Sequence, residues 1–136
     1  FRLDDGRCLY SLPYSVKNGV EAVGLSPDGK VLAIKDGSAL SFLDAATGKE
    51  VRKVPYVLGG GSRSVTDWIT FTPDGKHVAV ILLGDAVQLV EVATGKAVRS
   101  FSSGGAASAC VFSPDGKRMA TGGYDREGDH YHVRVW

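Results

Sequence analysis

The chain has 136 residues, 43% apolar and 23% charged, the ordinary balance of a globular domain with a buried core. Its 16 basic and 15 acidic side chains leave a formal net charge of +1, so nothing points to the clustered basic face that a nucleic-acid partner needs. No apolar run approaches the roughly 20 residues of a membrane-spanning helix, and no signal-peptide pattern stands at Phe1.

A degenerate turn, Asp4-Asp5-Gly6-Arg7, comes first, and an outer strand is expected over 7–13. The apolar alternation then predicts an innermost strand at Val20–Leu25, closed by Ser26-Pro27-Asp28-Gly29-Lys30. Pro27 presets φ for the second position of a β-turn, and Gly29 supplies the left-handed conformation that closes it. A second strand starts at Lys30 and a third ends at Leu43; Ala46-Thr47-Gly48-Lys49 turns the chain into an outer strand carrying Val51 and Val54.

The same order returns twice. The next innermost strand is expected at 66–71, before Thr72-Pro73-Asp74-Gly75-Lys76. The third strand then ends at Val90, the turn Ala93-Thr94-Gly95-Lys96 follows, and Val98 and Phe101 mark the outer strand. The last innermost strand is expected at 107–112, before Ser113-Pro114-Asp115-Gly116-Lys117, with a second strand from Lys117 and a third strand ending at Trp136.

Laid over one another, the copies form columns. Val23, Ile69 and Cys110 share one, and Leu25, Phe71 and Phe112 another. A column of small residues, Ala33, Ala79 and Ala120, is flanked by Leu32/Val78/Met119 and Ile34/Val80/Thr121. Trp68 shares a column with Ala22 and Ala109, which predicts packing between sheets. Four strands in roughly 40 to 47 residues, apolar on both faces, describe one blade of a β-propeller.

These units resemble WD40-repeat β-propeller blades over essentially the whole chain. Val111-Phe112-Ser113-Pro114-Asp115-Gly116-Lys117 resembles the family's innermost strand and turn, and Val133-Arg134-Val135-Trp136 its third strand up to the signature Trp. Asp44 and Glu91 occupy the acidic position that follows it. The repeats diverge: Asn18-Gly19, Gly60-Gly61 and Gly104-Gly105 stand where the family has Gly-His, so its Trp–Ser/Thr–His–Asp network is not expected to assemble. The resemblance implies an all-β fold of three blade units, 1–43, 44–90 and 91–136, each an outer strand followed by three inner ones. Closed propellers have at least four blades. Phe1 falls in the column of Leu43, Val90 and Trp136, so three units are expected to form an arc with an unpaired edge and exposed apolar flanks. That arc would be completed by the remaining blades of a longer chain or by identical chains, as a dimer of six blades or a trimer of nine.

Spacing separates two ends of the blades. The Pro-Asp-Gly and Thr-Gly turns hardly vary and share one end. The loops at the other end differ, with extra residues in 55–65 and 122–130. Variable loops on a fixed scaffold are where recognition usually resides. The candidate partner-binding residues there are Asn18, Glu21, Asp36, Arg63, Asp67, Asp85, Tyr124, Asp125, Arg126 and His130, with Arg63, Tyr124 and Arg126 as anchors.

No specific catalytic pattern is present. His130 and His132, two apart on a strand, lack the third and fourth converging ligands of a zinc site. Gly59-Gly60-Gly61-Ser62-Arg63 lacks the Lys-Ser/Thr and helix of a phosphate-binding loop. Cys8 and Cys110 fall in unlike columns, so a disulfide is not expected, which suits a reducing, cytoplasmic setting. The expected function is a non-catalytic protein–protein interaction scaffold without a cofactor. The alternatives are the propeller domain of an enzyme, either a quinoprotein-like dehydrogenase or the gate of a hydrolase, and a lectin-like ligand binder.

Overall fold

The computed structural model describes Cys8, Ser11 and residues 19–36, 38–55, 68–81, 86–124 and 130–136. These residues form eleven strands and no helix, hence no helix long and apolar enough to cross a membrane. Sheet one contains β1 (Val20–Leu25), β2 (Val31–Asp36), β3 (Ala39–Asp44) and β4 (Glu50–Pro55). Sheet two contains β5 (Ile69–Phe71), β6 (His77–Ile81), β7 (Ala86–Glu91) and β8 (Ala97–Ser102). Sheet three contains β9 (Ala106–Phe112), β10 (Met119–Tyr124) and β11 (Tyr131–Val135). Each is an antiparallel meander in chain order. Four strands were expected in each full blade; sheet three has three among the described residues. The outer strand expected over 7–13 lies outside them, apart from Cys8 and Ser11.

The repeated turn owes its form to hydrogen bonds as well as to φ. Gly29, Gly75 and Gly116 sit at φ of 72°, 68° and 68°, where only glycine is unstrained. In the first copy the Ser26 hydroxyl accepts from Val31 N–H at 2.8 Å and donates to Asp28 Oδ1 at 2.6 Å. Asp28 Oδ1 also accepts from Lys30 N–H at 3.1 Å. Thr72 with Asp74, and Ser113 with Asp115, repeat this relay. The Ser/Thr before each Pro-Asp-Gly is therefore a structural member of the turn. In the second turn type, Asp44 Oδ1 accepts from Thr47 N–H at 2.8 Å and Oγ1 at 2.7 Å, and Thr94 Oγ1 donates to Glu91 at 2.6 Å.

Packing then runs from sheet to sheet. Ala22, Ala33, Leu40 and Phe42 of sheet one meet Ile69, Phe71, Val78, Val80 and Val90 of sheet two. The other face of sheet two, through Ala79, Ile81 and Val87, meets Ala107, Cys110 and Met119. The small-residue column lets neighbouring sheets approach while larger side chains fill the space around it. Phe42 and Leu40 are completely buried, each stabilising by about 1.5–3 kcal/mol relative to exposure. The turns stack as well: a Cβ at Gly75 would lie 3.6 Å from Pro27, and one at Gly116 3.8 Å from Pro73. On the far side, Arg52 from β4 donates to the carbonyls of Ala93 and Thr94, at 2.7 and 3.3 Å, and so caps the second turn of sheet two.

Candidate functional site

The candidate face lies at the ends of β2, β6 and β10 away from the Pro-Asp-Gly turns. Four of its expected residues are described: Glu21, Asp36, Tyr124 and His130. Asn18, Arg63, Asp67, Asp85, Asp125 and Arg126 lie outside the described residues.

Glu21 sits at a β-bulge, where Val20 faces Asp36 and Ala22 faces Lys35 with Glu21 between. A bulge re-aims a side chain, and this one sends Glu21 to the Lys35 ammonium, 2.5 Å away. Lys35 is only 2% exposed, in the position that Ile81 fills in sheet two. Glu21 thus neutralises a buried cation. Ser108, in the same column as Glu21, lies where β9 and β10 also slip register.

Asp36 is 1% exposed. Burial alone would raise its pKa, but Oδ1 accepts from Ser38 N–H at 2.7 Å, Ser38 Oγ at 2.6 Å and Ala39 N–H at 2.8 Å. These bonds, with Lys53 nearby, hold its carboxyl below the usual range. Its Oδ2 has no hydrogen-bond partner among the described residues. Asp36 shapes the turn between β2 and β3.

Tyr124 ends β10, directly across from Tyr131 at the start of β11. They are 46% and 91% exposed, so this pair presents two aromatic rings to solvent beside the exposed His130. Tyr131 was not among the sequence candidates. Its signal was the pairing register, which puts the residue after His130 opposite Tyr124. His132 turns to the opposite face of β11, where its Nε2 is buried without a hydrogen-bond partner among the described residues. Among the described residues no group of three His, Cys, Asp or Glu converges as metal ligands.

Trp68 behaves as its column predicts, lying between sheets two and three and donating from Nε1 to the Cys110 carbonyl at 2.7 Å. Cys110 is fully buried and Cys8 exposed, so the two sulfurs are not joined. Part of the four-member network expected to be lost is present: Trp136 Nε1 donates to the buried Thr121 hydroxyl at 3.2 Å. The hydroxyl accepts the indole N–H without any help from a histidine, so the Trp–Thr half forms by itself. The Trp136 ring also packs on Phe101, centroids 5.8 Å apart.

At the opposite end, a shallow cleft between the second and third turns is lined by Thr72, Pro73, Asp74, His77, Pro114, Asp115 and Gly116. The Oδ1 atoms of both its carboxylates are already engaged by their own turns.

Residues 95–127, which include β8, β9 and β10, match the family model described as WD domain, G-beta repeat. The chain is similar to a WD40 repeat over that stretch. The crystal structure of RRP9 WD40 repeats is similar to it, with a TM-score of 0.73 and 16% sequence identity over 90% of the chain. At that identity the likeness speaks for the fold. The chain spans 36% of the length of that structure. No curated protein sequence matches it. The antiparallel sheets and this likeness give the chain a β-propeller-type fold.

Proposed function

We propose that this chain is a single propeller segment that acts as a protein-interaction scaffold, docking its partner on the end that carries the variable loops. The observation that carries this reading is the solvent-facing pair Tyr124 and Tyr131, held rigidly across two strands at that end. Aromatic side chains on a stiff backbone lose little entropy on binding and supply much of the energy at interfaces. Within the proposal Arg63 and Arg126 serve as charged anchors, and Asn18, Asp67, Asp85, Asp125 and His130 supply polar contacts. Glu21 and Asp36 act beneath that surface, one holding Lys35 and the other the β2–β3 turn. Burial of Asp36 and the engagement of half-buried Glu21 by Lys35 support a smaller contact area than the sequence alone suggests.

The test is affinity capture on the immobilised chain, repeated with Arg63, Tyr124 and Arg126 all changed to Ala. The proposal expects the proteins retained by the wild-type chain to be lost, with the thermal melt unchanged. Retention of every partner by the triple variant would refute it.

A further inference from the structure

The repeated turn carries a chemical hazard as well as a shape. Gly29, Gly75 and Gly116 each follow an aspartate and sit at positive φ, so the turn requires glycine there. Asp-Gly is a dipeptide prone to cyclise, because glycine leaves the following backbone nitrogen unshielded by a side chain. The glycine nitrogen bonds to Cγ of the neutral carboxyl, and the carboxyl OH leaves as water with the amide proton. Water then reopens the succinimide ring. Entry at Cγ restores aspartate. Entry at the main-chain carbonyl routes the chain through Cγ, giving isoaspartate of unchanged mass with an extra carbon in the backbone.

Burial does not oppose this reaction here, since Asp28, Asp74 and Asp115 are all exposed. The hydrogen bonds of the turn oppose it at both reacting groups. Oδ1 of Asp28 is held by Ser26 Oγ at 2.6 Å and by Lys30 N–H at 3.1 Å. Asp74 is held by Thr72 and Lys76 at 2.6 and 3.0 Å, and Asp115 by Ser113 and Lys117 at 2.5 and 3.1 Å. Rotating Cγ onto the glycine nitrogen breaks both bonds. They also favour the charged carboxylate, the hydroxyl bond most of all, and that form has no OH to lose as water.

The nitrogen is restrained as well. Gly29, Gly75 and Gly116 donate their N–H to the carbonyls of Ser26, Thr72 and Ser113, at 2.8, 2.8 and 2.9 Å. The Ser or Thr before each proline therefore holds both partners of the ring closure, the carboxyl through its hydroxyl and the amide through its carbonyl. Asp36, which also precedes a glycine, takes Ser38 Oγ on its Oδ1 at 2.6 Å. Isoaspartate at Asp74 would lengthen its turn and carry Gly75 away from Pro27, which lies 3.6 Å from a Cβ built there.

We propose that Asp28, Asp74 and Asp115 are isoaspartate-forming sites held dormant in the folded chain by the hydroxyls of Ser26, Thr72 and Ser113. Opening of a turn, rather than exposure of its aspartate, starts the modification. These turns lie at the end of the blades opposite the proposed docking surface, so the two readings stand or fall separately.

Residue-resolved peptide mapping against synthetic isoaspartyl standards, after incubation of the whole chain near neutral pH, tests this. Isoaspartate is expected to accumulate at least about tenfold more slowly in the folded chain than in guanidinium, a factor within reach of two ordinary hydrogen bonds. Ser26→Ala is expected to speed Asp28 alone by about tenfold, and Ser26→Thr to keep the wild-type rate. Asp74 and Asp115 in the same molecules serve as unchanged references. Equal rates in the folded and unfolded chain overturn the proposal. So does a folded Ser26→Ala variant in which Asp28 is not accelerated, or in which all three sites accelerate alike. Should that variant fail to fold, the isosteric Thr72→Val and Ser113→Ala, at the exposed third turn, decide by the same criteria at Asp74 and Asp115. The wild-type comparison stands in every case.

Discussion

The indole of Trp68 donates a 2.7 Å hydrogen bond to the backbone carbonyl of Cys110, joining sheet two to the innermost strand of sheet three. Apart from this bond and those of Arg52 to the turn of sheet two, the described sheets meet through apolar contact, which resists separation but fixes orientation weakly. A directional bond between sheets adds that orientation. Replacing Trp68 with Phe keeps much of the ring and removes the donor. The expected cost is about 1–2 kcal/mol, from one lost bond and one carbonyl left short of a partner. Trp68→Ala should cost more, and urea denaturation of both variants checks the order.

The Cys110 side chain beneath that bond gives an independent probe. Burial pushes its thiol up to about 11, while Cys8 is exposed. Since the thiolate is the reactive form, iodoacetamide at pH 8 is expected to label Cys8 in the folded chain and spare Cys110. Peptide mass spectrometry should show Cys110 modified only once denaturant opens the contact between sheets two and three.

Glu21 and Lys35 form a pair in which breaking one partner differs from replacing both. Glu21→Ala strands a cation that is 2% exposed, and such a change typically costs about 3–5 kcal/mol. Lys35→Met together with Glu21→Gln removes the charge as well as its partner and is expected to recover most of that loss. A double-mutant cycle of Glu21→Gln, Lys35→Met and the two together, by chemical denaturation, measures the coupling; a double loss equal to the sum of the single losses would show that the pair is not coupled.

Acid should loosen the three repeated turns together. Hydrogen bonds from the Ser26, Thr72 and Ser113 hydroxyls are the main cause holding Asp28, Asp74 and Asp115 below the ordinary carboxylate range, with backbone donors adding to them. For a carboxylate lowered in the folded state, the stabilisation is complete above its unfolded value, near 3.8, and fades as pH falls through the lower folded value. The melting temperature is therefore expected to hold from pH 7 to about 5 and to fall below about pH 4. Changing all three aspartates to Asn should flatten that fall, because the amide oxygen still accepts but no longer titrates.

Much of this architecture was legible in the residues because its cause is local. Pro27 and Gly29 dictate their turn within four residues, and the same chemistry at Pro73–Gly75 and Pro114–Gly116 fixes the repeat. The innermost strand at Val20–Leu25 was bounded correctly by its turn on one side and by alternation on the other. The hydroxyl relay through Ser26, Thr72 and Ser113 was equally local, written in the residue before each proline. Glu21 was harder to read. Its column predicted a loop-facing acid, whereas a one-residue slip in register aims it at Lys35.

The sequence by itself determined the all-β class, the three tandem units and the alternation of constant turns with variable loops, since turn chemistry and strand period act over a few residues. Only the tertiary structure decided that Lys35 and Asp36 are buried, that Trp68 reaches Cys110, that Trp136 reaches Thr121 and that Val133 and Val135 face solvent. Those outcomes depend on which sheet lies opposite. The columns of Leu40 and Phe42 read alike in all three units, yet the residue is core where a neighbouring sheet covers it and surface where none does. Burial is set by what packs across the gap, and no local pattern carries that information.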